Sequence, residues 1–505
     1  MRKLLLLFLA SLVLRIGFAV FFHFDGLYGQ DPFAYFDYTV QLRGALAAGS
    51  PPPPFFWPIG YPLLAVLASL VTGLRPLAGQ LISILAGSLV APLVYLIVLE
   101  VEPARQQGAL LAALLIGTAG QMMLSSLSYM ADAAGLAWVT LSALAMLRYT
   151  RLLRPRWLAL SAFTLGFAVL TRWAFALTVF PWALAAFLAW HGAKMSWLQR
   201  LRLIGLAVLV GGFVLVPQFL PSIGQGGLAH VGDLQVVGWN PANAFKSTIT
   251  NSDGTFHYER PIGLFYALPA IHPAFVFPLL TPFLVIGIWS LRKRPLSQIA
   301  LLLGWPLIMY LFLAGIAWEN PRFSLAYFPP LAILTGVGLQ TFWNATPRLR
   351  ITSYELRIRR FQLPITNYQL VLTSYLAVAL LGSLAWAGRD LRNFTAANNA
   401  QIAAAHWVEA HVPPDASVIT FGVTLTMQHR TSLETSEIYL LDPESLAELV
   451  DTRSSLYLFL DLGNINSQWE GLSPQLNYLW LQENTTLTEI DHYPPYTLFQ
   501  VSAVP

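Results

Sequence analysis

Three aspartates spaced six residues apart, Asp25, Asp31 and Asp37, fall within DGLYGQDPFAYFDYT, in a 505-residue chain that is only 11% charged. Other ionisable residues stand singly beside apolar runs: Asp132 ends LSSLSYMAD, Arg172 lies in AVLTRWAF, and Glu319 and Arg322 share AWENPRFSLAYFPPLA. A carboxylate held away from water can take the proton of an attacking hydroxyl, and guanidinium groups can stabilise a departing phosphate. At a membrane surface, that combination suits transfer of a group from a lipid phosphate.

Each residue also has a plainer reading. Asp31 follows Gln30 and precedes Pro32, so it could act as a base among Tyr28, Phe33 and Tyr35, or merely cap the helix that Pro32 opens. Asp25 reads as a solvated loop carboxylate. Asp37 reads the same way, or as a helper within two turns of Asp31 on one helix. Asp132 could cap the helix it begins. Arg172 could snorkel at the interface or offer a forked donor to an anion. Glu319 could simply pair with Arg322.

These side chains must be positioned by apolar elements. Hydrophobic residues make up 56% of the chain and mean hydropathy is +0.58, well beyond a soluble domain, so the sequence predicts an integral membrane protein. Sixteen Trp, 19 Tyr and 31 Phe fit the aromatic belts of membrane interfaces. The lack of cysteine excludes disulfides, thiolate metal sites and cysteine nucleophiles. Residues 1–388 carry 25 Lys and Arg against 11 Asp and Glu, whereas residues 389–505 carry 4 against 14. Two domains are expected: a membrane domain over 1–388 and a small soluble α/β domain over 389–505.

A spanning helix needs roughly 20 mostly apolar residues. About eleven stretches qualify: 3–23, 77–99, 106–124, 132–148, 157–172, 173–191, 201–220, 272–291, 296–316, 323–343 and 366–388. FFWPIGYPLLAVLASLVTG at 55–73 is apolar but short and holds Pro58 and Pro62. Loop charge decides its place, because cytoplasmic loops collect Lys and Arg. If 55–73 does not span, the clusters at 148–156, 194–202, 292–294 and 348–360 share the side of Arg2 and Lys3. It is therefore expected to skim the membrane within the first outer loop, beside an amphipathic stretch at about 33–48. The outer face then holds 24–76, 124–131, 221–271, 317–322 and the tail. In the tail, AQIAAAHWVEAHV and SPQLNYLWLQEN read as helices, and SVITF, SLYLFLDL and YTLFQVS as strands.

No P-loop, GxGxxG or HExxH occurs, and the nine histidines show no ligand spacing on one helix. The basic loops are topology signals, and no nucleic-acid partner is expected.

Taken in order, LRIGFAVFF, GQDPFAYFDYTVQL, FFWPIGYPLLAVL, LSSLSYMADAAGLAWV, GFAVLTRWAFAL and ENPRFSLAYFPPLAIL resemble the landmarks of GT-C fold membrane glycosyltransferases. The nearest branch is that of the lipid A aminoarabinose transferase and the protein O-mannosyltransferases, over residues 1 to about 345. The resemblance implies a polyprenyl-phosphate sugar donor, inverting transfer and a general base in the first outer loop, which falls on Asp31. It matches a second acid to Asp132 and basic residues to Arg172 and Arg322, which are expected to bind the donor phosphate; from their own positions, Asp37 and Glu319 are expected to join Asp132 in acceptor or metal contacts, with Tyr35 and Tyr61 lining the cavity. A divalent metal on Asp31 and Asp132 is compatible with it but not required, because the arginines can supply the charge. The family has a tyrosine after its late basic residue; here Phe323 follows Arg322. The implied setting is the cell membrane, with the site and tail extracytoplasmic and a lipid, glycan or protein hydroxyl as acceptor. A transporter or flippase of lipid-linked sugars is the rival reading, although no internal repeat supports it.

Overall fold

The computed structural model describes residues 1–103, 106–219, 238–345 and 368–503. The basic cluster at 348–360 lies outside them. The membrane part begins with α1 (Arg2–Phe21), α2 (Gln30–Ala47), α3 (Gly60–Thr72), α4 (Leu77–Val101), α5 (Gln107–Thr118), α6 (Gly120–Leu127) and α7 (Ala131–Leu152). It continues with α8 (Pro155–Thr171), α9 (Val179–Gly192), α10 (Trp197–Phe219), hairpin β1 (Thr248–Asn251) and β2 (Gly254–His257), then α11 (Ile262–Ala267), α12 (Thr281–Ser290), α13 (Leu296–Gly315) and α14 (Phe328–Ala345).

Among the described residues, seven helices are long and apolar enough to cross a membrane, or eight if α5 and α6 form one span bent by 55°. The count falls short of the eleven expected stretches for physical reasons. Ala119 is extended between α5 and α6, and the Gln121 amide donates to the Ala274 carbonyl, at 3.0 Å, rather than back into its own helix. In 272–291, Pro273 and Pro278 hold off the helix until Thr281, because proline cannot donate to a helical ladder. α8 has only 17 residues, and α7 has 22 but carries Asp132, Arg148 and Arg151. At 13 residues, α3 is too short to span, as its prolines suggested.

Apolar tails of lipid do not drive helices together, so close backbone approach must. A Cβ added at Gly338 in α14 would stand 1.7 Å from the Phe283 carbonyl oxygen of α12, and one at Gly108 would stand 2.1 Å from the Gly336 oxygen. α14 is accordingly buried over most of its length, whereas Val208, Leu209 and Phe213 of α10 face outward.

The bundle has two chemically distinct ends. At one, Lys3 contacts Gln106, Arg148 and Arg151 grip Glu100 at 2.7 and 2.9 Å, and Arg294 pairs with Glu102. This arrangement gathers the basic residues of α1, α7 and the 292–294 turn on one side, as the loop charges required. The other end, about 37 Å away along the 25-residue α4, carries α2, α3 and the acids of the first loop.

The tail opens with α15 (Tyr368–His411), a single 44-residue helix that runs unbroken through residue 388. β3 (Ser417–Thr420), α16 (Thr424–Arg430), β4 (Glu434–Glu437), α17 (Pro443–Thr452), β5 (Leu456–Leu460), α18 (Leu462–Ile465), α19 (Ser473–Asn484), β6 (Thr485–Tyr493) and β7 (Tyr496–Ala503) follow. The sheet has the order β4-β3-β5-β7-β6, with β3 parallel to both its neighbours and β7 antiparallel to both of its own. Val408 of α15 packs with Val418 and Phe459 on one face; Leu446 of α17 and Leu481 of α19 pack with Ile419 and Leu458 on the other. Burial of both faces explains why β3 and β5 read as continuous apolar runs. The two strands that sequence reading missed, ETSE and TTLTEIDHY, are the sheet's edges, where no such run is needed.

Candidate active site

Gly29 has φ of 78°, a conformation natural only to glycine, and it turns the chain into α2 so that Asp31 falls in the first helical turn. No side chain caps α2, which sets aside the capping reading of Asp31. Its Oδ2 instead accepts from Arg322 Nη2 at 2.7 Å. Asp132 likewise occupies the first turn of α7 without capping it, and its Oδ1 accepts from Arg172. Arg322 Nε stands 3.5 Å from Asp132 Oδ2, so one guanidinium bridges both acids.

Helix ends explain this convergence. Two carboxylates in first turns and one arginine closing α8 all complement the partial charges of their helices. Arg322 starts the 3-10 segment Pro321–Tyr327, where a cation is disfavoured, and the two acids compensate. The Asn320 side chain fixes that start by accepting from the Arg322 amide at 3.0 Å. The ring of Phe323 lies 5.2 Å from the Arg172 guanidinium and 5.4 Å from that of Arg322. Phenylalanine therefore keeps the aromatic face toward both cations without a hydroxyl.

Exposure grades across the cluster. The Asp132 side chain is 3% exposed and that of Asp31 31%, so Asp132 forms the floor and Asp31 the open side. Arg322 Nε and Asp132 Oδ2 are buried without a satisfying hydrogen bond among the described residues, which leaves polar capacity in the cluster. Tyr35 feels the charges of Arg172, Asp31 and Arg322, and its burial raises its phenol above the usual range. It stacks on Trp57 at 5.0 Å and meets Tyr61 edge-on at 5.4 Å. The Tyr61 hydroxyl lies 2.9 Å from both the Gly79 carbonyl and Ser83 Oγ, in a layer behind Tyr35.

Four of the sequence-predicted residues thus come together, with Tyr35 and Tyr61 beside them, while Asp37 and Glu319 turn elsewhere. Asp37 Oδ1 is 2.9 Å from His429 Nε2. Asp25, read as a solvated loop residue, instead accepts from Arg430 Nη2 at 2.5 Å. Neither basic partner carried a signal, because both lie in a tail that is acidic on average. Glu319 makes no ion pair with Arg322. It lines a separate cavity of about 410 Å³ with Tyr258, Arg260, His272, Pro321 and Ser324, none of which belongs to the ion cluster.

Among the described residues, no group of three or more His, Asp or Glu side chains could hold a metal ion. Asp31 and Asp132 do not fit the metal reading, because the arginine they share would repel a cation.

Burial pushes the Glu319 carboxyl up to about 7, with Arg260 lowering it and Glu259 raising it. A raised carboxyl favours the folded state below its unfolded range near 4.5, and that advantage is lost as pH rises through about 7. Glu319→Gln should therefore raise the melting temperature at pH 8 and leave it nearly unchanged at pH 5. Equal shifts at both pH values, read by thermal unfolding in detergent, would contradict a raised Glu319 carboxyl.

Residues 75–221, which include Asp132 and Arg172, match the family described as dolichyl-phosphate-mannose-protein mannosyltransferase. Comparison with curated protein sequences gives no match. Among solved structures, ArnT from Cupriavidus metallidurans bound to undecaprenyl phosphate is similar with a TM-score of 0.63 and 15% identity, over 99% of this chain and 96% of that one. Its apo state gives 0.63 and 16%, over 97% of each. The Archaeoglobus fulgidus oligosaccharyltransferase in the apo form gives 0.58 and 13%, over 99% of this chain and 74% of that one. The chain has the GT-C fold of these membrane transferases, and between residues 75 and 221 it carries the sequence pattern of the mannosyltransferase family.

Proposed function

We propose that the protein is an inverting glycosyltransferase that moves a sugar from a polyprenyl-phosphate donor to a hydroxyl of a lipid, glycan or protein acceptor, at the extracytoplasmic face of the cell membrane. The observation that carries this reading is the union of Asp31, Asp132, Arg172 and Arg322 in one cluster, at the end of the bundle away from the basic loops. ArnT in its complex with undecaprenyl phosphate, which shares the fold, supports the donor class.

The donor phosphate takes up guanidinium N–H groups of Arg172 and Arg322, displacing the carboxylates from part of their contacts. Once Arg322 turns to the phosphate, the Asp31 carboxylate is free to accept a proton. The acceptor hydroxyl attacks the anomeric carbon opposite the phosphate and its proton passes to Asp31. The bond from that carbon to the phosphate oxygen breaks, and its electron pair leaves on polyprenyl phosphate. Asp132 stays on the floor to keep both arginines aimed at that oxygen. Because the arginines supply the charge, no step passes through a metal.

Purified protein incubated with an undecaprenyl-phosphate sugar and envelope acceptors should release undecaprenyl phosphate in step with sugar transfer. Movement of the intact donor between leaflets with no release would replace this reading with a flippase.

A further inference from the structure

The acidic tail reaches back to the loop that carries Asp31. Arg430, last residue of α16, donates to Asp25 at 2.5 Å, and its neighbour His429 stands 2.9 Å from Asp37. His429 also stacks on Phe33 at 4.8 Å and meets Phe36 at 5.8 Å. Leu425, one turn earlier in α16, packs against the cluster of Leu27, Phe33, Tyr35 and Tyr61. On the other flank, Phe394 of α15 lies edge-on to Phe24 and Tyr28 at 5.5 and 4.6 Å. The aspartates before and after Asp31 are thus held by the tail, while Asp31 alone is held by the membrane part, through Arg322.

A second bridge ties the tail to the hairpin. The Thr255 amide of β2 donates to the Gln468 carbonyl at 2.7 Å, and the Gln468 side chain donates to the Asp253 carbonyl at 2.8 Å. The tail therefore rests on two outer segments at once, and rotation of α2 about its own axis would break contacts on both flanks of Asp31.

We infer that α16 is a clamp and that His429 and Arg430 are positioning residues: through Asp37 and Asp25 they fix the first turn of α2, and so the reach of the Asp31 carboxylate toward the acceptor. This role rests on the transfer reading above. Catalysis by a positioned base depends on placement to within about an ångström, so loosening the clamp acts on the chemical step. The clamp stays engaged through turnover.

The test uses the full-length protein and its lack of cysteine, which gives thiol chemistry no background. In the double variant His429→Ala with Arg430→Ala, kcat for undecaprenyl-phosphate release should fall about ten- to a hundredfold, while KM for the donor changes less than threefold. Arg430→Lys, which keeps the charge, should restore most of the rate. In Asp25→Cys with Arg430→Cys, a short bis-maleimide should join residues 25 and 430 in high yield and lift kcat above that of the unlinked variant. Wild-type kcat in the double alanine variant overturns the clamp, as does loss of transfer on cross-linking, which would mean that the tail must lift away. If the alanine variant fails to fold, the cross-linked protein still decides between these outcomes. Wild-type protein that releases no undecaprenyl phosphate fails the transfer reading itself and removes this role with it; a fully active alanine variant removes only the clamp.

Discussion

Asp31→Asn should abolish sugar transfer, lowering kcat by at least about a hundredfold, while the protein folds and binds donor much as before. The magnitude follows from losing a positioned base, which costs about 10²–10⁴ in rate. Stability should hardly change, because Asp31 is partly exposed and its pair with Arg322 resembles a surface ion pair worth about 0–1 kcal/mol. The asparagine carbonyl can still accept from Arg322 Nη2, so the cluster keeps its shape. Undecaprenyl-phosphate release measured beside donor binding separates the two effects. Near-normal turnover in the asparagine variant would end the assignment of Asp31 as base.

Arg322→Ala should do more damage, and of two kinds. Arg322 bridges a partly exposed and a buried carboxylate, and its removal leaves Asp132 with Arg172 alone at the floor of the cluster. Loss of one partner from a buried ionic cluster costs about 2 kcal/mol when another cation remains. Donor binding should weaken by about tenfold or more, since a guanidinium that would face the phosphate is gone. Arg322→Lys is the sharper variant. A point-charge ammonium restores net charge but cannot offer a forked set of donors to two partners, so stability should recover further than donor affinity does. Thermal unfolding and donor binding, measured on both variants, read the two effects apart. Full donor affinity in Arg322→Ala would remove Arg322 from the phosphate site.

The two predictions differ because the residues differ in burial, not in sequence setting. GQD and ENPR both look like short polar interruptions between apolar runs. Nothing in either string tells that Asp31 opens to solvent and that Arg322 spans two carboxylates. Likewise LSSLSYMAD marks a helix start, but not that Asp132 lies at its floor with a guanidinium on either oxygen.

Much else was written in the sequence. Hydropathy and the basic loops fixed the class of the protein and kept 55–73 out of the span count, because transfer into lipid acts on whole stretches and charge acts on whole loops. Gly29 and Pro32 announced the turn into α2 through backbone constraints that need no partner. The apolar runs of β3 and β5 announced strands. Chain-local physics of this kind is legible residue by residue.

What tertiary structure decided is which distant charges meet. Sequence spacing could rank Asp25, Asp31 and Asp37 only by their neighbours. Their fates differ through partners roughly 400 residues away for Asp25 and Asp37, at Arg430 and His429, and roughly 300 away for Asp31, at Arg322. Helix breaks were equally hidden, since at the bend between α5 and α6 the Gln121 amide donates to a carbonyl distant in sequence, that of Ala274. Ion pairing and hydrogen bonding are short-range forces that act across space regardless of chain order, so the sequence determined the parts and the packing of helix ends determined the site.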